Sequence, residues 1–473
     1  GAMKTIPDID GLGAQSNRSI SIYSNLAYTW RRNWNFYSAF RLDASNIVGG
    51  PDNRKWGPFW SLGISRNFNL GKGTDGAIAG AGSRMAGTGR GMWTSQVKLR
   101  ASYGCNGNAS NRTTDLQTTY LGLNGYGAVQ DGIEVPPDPM LGWEKVKVLN
   151  LGVDFGFFRD SIVPRGRLSG SLDLYQRWAV NLLSLDTLAP STGVPSYMGN
   201  SGGITGQGID VVVRSVNVVA AGGSKKRFSW SSALLVGFNR DWVSRFRYQA
   251  KSPASYVTGG FYQVGKPSTA VFSYPWAGLN AGNGDPQGLL GGKTSSNYYA
   301  LMYDAAAAKV CSGVRQPVVR ASLLNTFGLG HWSLSLRLDC RTGYVFRRSS
   351  IDYYLLAMNL YRGNRDFADR WQYPGQKTNV PSMPVAPDDN RDVFYANSAA
   401  LITRADNLRW RDVNLGYEWV PEKGPVKAAM FYIYVNNIAI LWKANHYGID
   451  PDAYQYGQMP VSRSYSFGVR LKF

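Results

Sequence analysis

Apolar and polar side chains alternate with a period of two through most of this chain. That pattern leaves little besides β-strands for the sequence to form. Between Ile20 and Trp30, the residues Ile20, Ile22, Leu26, Tyr28 and Trp30 share one face, with Ser21, Tyr23, Asn25, Ala27 and Thr29 on the other. After a short turn at Arg31 to Asn33, the pattern resumes with Trp34, Phe36, Phe40 and Leu42. It recurs at Leu149 to Phe157, Leu168 to Leu174, Phe228 to Phe238 and Trp332 to Leu338. Roughly 13 strands are read in this way. Length alone, 473 residues, suggests about three domains. An unbroken succession of strands points instead to one large all-β body.

Alternation does not say which face meets what. In a soluble sandwich the apolar face lies inside. In a transmembrane barrel it meets lipid, and the polar face lines the lumen. Composition narrows the choice. Only 17% of residues are charged, where a soluble chain carries about 25%. Aromatics at 13% exclude disorder, and no run of ~18 apolar residues offers a membrane helix. Two further signs favour the membrane. Trp30, Trp34, Trp56, Trp60, Trp410 and Trp419 sit at strand ends, where interfacial girdles belong. Connections alternate between short (Arg31 to Asn33, Arg159 to Arg165, Gly328 to Gly330, Pro421 to Pro425) and long (Cys105 to Glu144, Ser244 to Gln316, Thr342 to Arg404, Asn436 to Ser462). Gly71 to Met92 breaks the rule: a long Gly- and Ala-rich insertion on the short-turn side.

The end of the chain is a local signal of its own. Tyr465, Phe467, Val469, Leu471 and Phe473 alternate with Ser464, Ser466, Gly468, Arg470 and Lys472, and the last residue is aromatic. Outer-membrane barrels present such a strand to their insertion machinery, and these five residues are read as that signal in preference to an ordinary final strand ending in Phe by chance.

No catalytic constellation appears, and the chain is read as no enzyme. Cys105, Cys311 and Cys340 make neither a disulfide framework nor a zinc pair. His331 and His446, the only histidines, support neither a metal site nor a triad, and no cofactor is expected. Asp389 and Asp392, beside Arg391, read as solvated turn residues of a Pro-rich loop. Gly82 to Gly91 lacks the Gly-Lys-Ser/Thr ending of a phosphate cradle. The formal charge of +20 is not gathered into a basic helix or aromatic platform, so nucleic acid is not an expected partner. Arg337, Asp339 and Arg341 would line the lumen, either pairing with carboxylates such as Asp339 or drawing an anionic solute. The loop aromatics Tyr298, Tyr299, Trp371, Tyr373, Trp442, Tyr447 and Tyr454 suit either sugar or lid contacts or the packing of their own loops.

Several stretches in order resemble the C-terminal barrel of TonB-dependent transporters of the SusC/RagA type, from the outer membranes of Bacteroidota. They include Trp56-Gly-Pro-Phe-Trp-Ser-Leu-Gly63, Gly107-Asn108, Pro137 to Lys145, Gly199-Asn200 and Tyr274-Pro-Trp-Ala-Gly-Leu279. They continue with Gly284-Asp-Pro-Gln287, Phe346-Arg-Arg-Ser-Ser350, Ala405 to Asn414, Tyr434-Val-Asn-Asn437 and Gly448-Ile-Asp-Pro451. The resemblance implies a 22-strand barrel, an N-terminal plug, TonB contact ahead of the plug, and a SusD-like surface lipoprotein as lid. It also implies import of an oligosaccharide or peptide. Residues 1 to 19 resemble no plug, and Gly-Ala-Met reads as a cleavage scar or an arbitrary start. The expectation is therefore a C-terminal part of a larger barrel, embedded in lipid, whose plug and first strands come from the parent chain or a partner subunit. The competing readings are a transporter-like scaffold in an outer-membrane assembly, a small complete porin-like barrel and, more distantly, a soluble carbohydrate-binding β-protein.

Overall fold

The computed structural model describes residues 18–45, 56–70, 94–108, 118–123, 129–135, 141–159, 167–187, 196–219, 228–248, 250, 252–360, 363–454 and 458–473. The 71–92 insertion, with the glycines from 82 to 91, and all but Arg159 of the 159–165 turn lie outside them. Thirteen strands form one antiparallel sheet. In chain order they are β1 (Ser19–Trp30), β2 (Trp34–Ser45), β3 (Trp56–Leu70), β4 (Thr94–Asn108), β5 (Glu144–Arg159), β6 (Leu168–Thr187) and β7 (Ser196–Val218). There follow β8 (Phe228–Arg245), β9 (Val319–Leu329), β10 (Trp332–Thr342), β11 (Asn407–Trp419), β12 (Ala428–Lys443) and β13 (Ser464–Lys472). Each pairs with its neighbours in this sequence, so the sheet is a simple meander. Among the described residues no helix is long and apolar enough to cross a membrane.

The period-two rows of the sequence become continuous faces because register is kept from strand to strand. Leu26, Ser38, Leu62, Tyr103 and Leu149 lie side by side across β1 to β5. The apolar face stays open: Ile22, Leu26, Leu62, Leu151, Leu174 and Phe467 are all exposed. A soluble sandwich would cover such a face with a second layer. The polar face carries ion pairs, such as Arg100 bridging Asp154 (2.8 Å) and Asp173 (3.1 Å) from three adjacent strands.

One end of the meander has tight turns. Residues 31–33 join β1 to β2, and Arg31 and Arg32 adopt φ of 46° and 58°. The β9–β10 turn is Gly330 and His331, shorter and later than the sequence reading, because Leu329 and Trp332 still pair. Trp30, Trp34 and Trp419 mark this end, while Trp56, Trp60 and Trp410 lie near the other. At that other end the connections are long and folded. They carry α1 (Pro253–Val257), α2 (Tyr298–Tyr303), α3 (Tyr353–Ala357), α4 (Asp389–Ala396) and several two- and three-stranded sheets.

Several stretches that carry the family resemblance are braces at this end. Phe59 is buried edge-on against Trp143, with ring centroids 5.5 Å apart. A Cβ on Gly107 would stand 1.9 Å from the Phe59 ring, so only glycine fits there. Asn200 clasps Gly142, its amide donating to the carbonyl (3.0 Å) and its oxygen accepting from the N–H (2.6 Å).

The two outer strands pair on one side each, β1 with β2 and β13 with β12. No pairing joins β1 to β13 among the described residues. β1 is exposed along its whole length, and β13 at all but one position. A self-closed porin-like barrel is therefore not what the structure contains.

Strand β8 offers a direct check on the two faces. Leu234 is exposed on the apolar face, paired with Leu323. Ser231 lies on the polar face, paired with Thr326. Arginine on a lipid-facing surface at mid-bilayer costs ~2–4 kcal/mol, whereas the lumen face admits it. Leu234→Arg is expected to lower the yield of protease-resistant protein assembled into vesicles, with Ser231→Arg near wild type. Equal yields would contradict a lipid-facing surface.

Candidate solute-facing site at the long-loop end

The polar face of β10, β11 and β12 leads up into the long loops through a chain of charges. Arg337 reaches Asp412 at 3.4 Å, and the Tyr434 hydroxyl donates to the same carboxylate at 3.4 Å. Asp339 accepts from Ser322 (2.8 Å). Arg341 meets both oxygens of Asp452 at 2.9 and 3.0 Å. Arg409, almost wholly buried, contacts Asp450 and also Asp452 (3.3 Å). Arg337 and Arg341 therefore do pair with carboxylates, but with Asp412 and Asp452; Asp339 serves a serine hydroxyl. The cause is register. Asp339 stands opposite Ser322 on one side and Arg409 on the other, two residues from each of these arginines along its own strand.

Above this wall the loops share a core. Tyr274 stacks on Phe394 with centroids 5.5 Å apart, beside Leu301, Met302 and Tyr298. Burial pushes the Tyr274 and Tyr298 hydroxyls up to about 12, so both stay neutral. Arg391 is the hub. It is 3% exposed, and its Nε donates to Asp285 (2.8 Å) while Nη2 donates to the Ser382 carbonyl (2.7 Å). Asp392, 2% exposed, accepts from the Tyr354 N–H (2.7 Å) and lies 3.5 Å from Arg391. These residues were expected to be solvated turn groups. Instead, Asp389–Ala396 is a helix capped by Asp388, whose side chain accepts from the Arg391 N–H, and it buries one face of that segment. Burial raises the Asp392 carboxyl to about 6, against the pull of the Tyr354 N–H and Arg391.

Other buried cations brace neighbouring loops. Arg348 pairs with Asp366 and lies over the Tyr447 ring at 4.2 Å. Arg347 donates to Asn397 (2.8 Å) and to the Phe272 carbonyl, and its burial lowers its pKa to about 10.

The seven candidate aromatics separate. Tyr298 is buried, its hydroxyl donating to the Pro286 carbonyl (3.1 Å). Tyr454 packs on Phe346 at 5.1 Å. Trp371 covers Gly284, where a Cβ would come within 2.4 Å of its ring. Trp442 is not in a loop at all: β12 runs on to Lys443, and Trp442 stands opposite Leu408. Tyr299, Tyr373 and Tyr447 remain exposed at 66%, 62% and 50%. Among the described residues no ring contact joins any two of the seven. Tyr465, Phe467, Val469, Leu471 and Phe473 are exposed at the free edge of the sheet. The sequence reading singles out neither Asp285 nor Arg409, and it takes Arg391 for a turn residue. Their partners lie 106 and 41 positions away, so local spacing carries no sign of them.

No protein-family profile matches the sequence. Among curated proteins, TonB-dependent receptor P39 of Formosa agariphila is 22% identical over 505 residues, spanning 93% of this chain and 44% of P39. TonB-dependent receptor P3 of the same organism is 22% identical over 416 residues, 80% of this chain and 39% of that one. Among solved structures, the RagAB peptide transporter superposes with a TM-score of 0.73 at 19% identity, over 97% of this chain and 48% of that one. The RagAB peptide importer in its closed-closed state gives 0.70 at 18% identity. This chain thus spans less than half the length of the relatives it matches. The resemblance to TonB-dependent receptors is met in sequence, and that to RagAB in fold, over more than nine-tenths of the chain.

Two outcomes test the loop core. Removing one partner of a buried ion pair typically costs about 3–5 kcal/mol, because the other charge is stranded. Arg391→Ala is therefore expected to speed amide hydrogen exchange in 283–302 and 350–356 while leaving β9 and β10 unchanged. Exchange that speeds equally in the strands would show that the core has no separate stability. The second concerns pH. A carboxyl raised from 3.8 to about 6 binds its proton more tightly folded than unfolded, so its contribution to stability falls as pH rises through that window. Exchange in 350–356 is expected to be slower at pH 5 than at pH 7 once corrected for intrinsic rates, and Asp392→Asn is expected to remove the difference.

Proposed function

We propose that this chain, a relative of TonB-dependent receptors sharing the RagAB barrel fold, is the C-terminal part of an outer-membrane importer barrel for a large nutrient, an oligosaccharide or a peptide. The short turns face the periplasm and the folded loops face outward. A SusD-like lipoprotein closes over those loops, and TonB acts through a plug supplied by sequence outside this chain. The observation that carries the reading is the thirteen-strand meander with an apolar outer face and two unjoined edges. In hydrocarbon each unpaired backbone group costs several kcal/mol, so only closed barrels span. Further strands, from the parent chain or a partner subunit, complete the wall at β1 and β13. The exposed rings of Tyr299, Tyr373 and Tyr447 offer stacking surfaces to a sugar, a peptide or the lid.

One observation favours a second reading, a transporter-like scaffold in a larger assembly. Arg337, Arg341, Arg348, Arg391 and Arg409 are all engaged in internal pairs. Such a surface is built more for shape than for gripping a charged solute. Gentle solubilisation and affinity capture decide between the two. The importer reading expects a plug-bearing chain and a SusD-like lipoprotein among the captured partners. Capture of unrelated outer-membrane machinery with neither would establish the scaffold instead.

A further inference from the structure

The outer wall of β3 to β8 carries a cationic aromatic row directly above an apolar hollow. In register across six strands lie Trp60, Cys105, Lys147, Trp178, Thr205 and Trp242. The next row toward the short turns reads Leu62, Tyr103, Leu149, Gln176, Gln207 and Arg240. Both continue the apolar face, since no register shift separates Lys147 from Leu149, or Arg240 from Phe238. Lys147 and Arg240 are exposed, and no acidic side chain pairs with either among the described residues. Beneath Lys147 the wall is hollow. Ser38 and Ala101, the small members of their rows, sit among Leu26, Leu62, Tyr103 and Leu149 and leave a recess of ≈ 470 Å³. Lys147 and Leu149 are two residues apart on one strand, about 7 Å at ~3.3 Å per residue.

Resting on the outer-membrane reading, we infer that this wall holds one lipid with an anionic phosphate headgroup, its phosphate at Lys147 and an acyl chain in the Ser38–Ala101 hollow. The occupant follows from the two halves of the site. Tryptophans at the end of a lipid-facing strand mark the headgroup level, and a lysine there meets phosphate as a point charge. The Gln176 and Gln207 amides, out of place on an apolar row, are donors one row nearer the short turns. A hollow lined by aliphatic and aromatic carbon suits a hydrocarbon chain. A protein partner would need no cation set one acyl-glycerol length above a groove.

The test uses the intact protein in detergent, incubated with equal amounts of phosphatidylglycerol or phosphatidylcholine and read by native mass spectrometry. The two probes differ in headgroup charge and share their acyl chains. Wild type is expected to retain phosphatidylglycerol about fivefold better, the effect of roughly one basic side chain near an anionic lipid. Lys147→Gln is expected to abolish the preference and Lys147→Arg to keep it. Ser38→Phe, which fills the hollow, is expected to reduce retention of both lipids. Equal retention of the two lipids by wild type, or an unchanged preference in Lys147→Gln, would overturn the site. Insertion into vesicles is scored separately. Insertion without a lipid preference refutes this site alone, whereas failure to insert refutes the membrane reading beneath it.

Discussion

Everything in this molecule depends on the ladder of backbone hydrogen bonds between sequential antiparallel strands. Where one face meets hydrocarbon, water cannot take up a missing partner, so every N–H and C=O must be paired within the wall. The meander meets this demand because each strand finds its partner in the next. Side chains then have only to alternate. That freedom explains the composition: few charges, many aromatics near strand ends, and serine, glycine and tyrosine on the polar face.

The long loops answer a different demand. They are large enough to need a core, yet their aromatic cluster around Tyr274 and Phe394 is small. Buried cations hold the rest. Arg391 ties the 284–287 segment to α4, Arg409 ties β11 to the 448–451 segment, and Arg347 ties the 346–350 segment to the 270s. Pairs of this kind gain little over a hydrocarbon core in net stability but penalise wrong arrangements heavily. Among the described residues, these ties hold the 270s, the 284–287 and 346–350 segments and α4 in one arrangement. Gly284-Asp-Pro-Gln287, Phe346-Arg-Arg-Ser-Ser350 and Gly448-Ile-Asp-Pro451 among the quoted stretches are contact points of that arrangement.

The wall was legible because a period of two runs through most of each strand. Thirteen strands, the alternation of short and long connections, and the tryptophans near both ends were all readable from residue types alone. What failed, failed locally. Residues 389–396 form a two-turn helix, too short to show a period, and it buries Arg391 and Asp392, which read as solvated, while Asp389 is exposed. Trp442 was placed in a loop because β12 bulges near Asn437, which takes φ of 56° and puts the alternation out of phase. The partners of Arg337 and Arg341 were misassigned because pairing across strands follows register, which a single strand does not display. Lys147 and Arg240 interrupt apolar rows and pass for noise until neighbouring strands are aligned.

The meander also sets the order in which the molecule can form. Each strand of the wall pairs only with its neighbours in the chain, so pairing can spread strand by strand, closing small loops at the tight turns and long ones between β8 and β9 and between β10 and β11. The outer cap cannot form that way: the Asp285–Arg391 link spans 106 residues and two wall strands, β9 and β10. Its clasp closes only when β9, β10 and the start of β11 have brought its two halves together. A chain stalled partway through the wall would carry its loops as loose flaps, so a folded cap records that the strands beneath it are already in register.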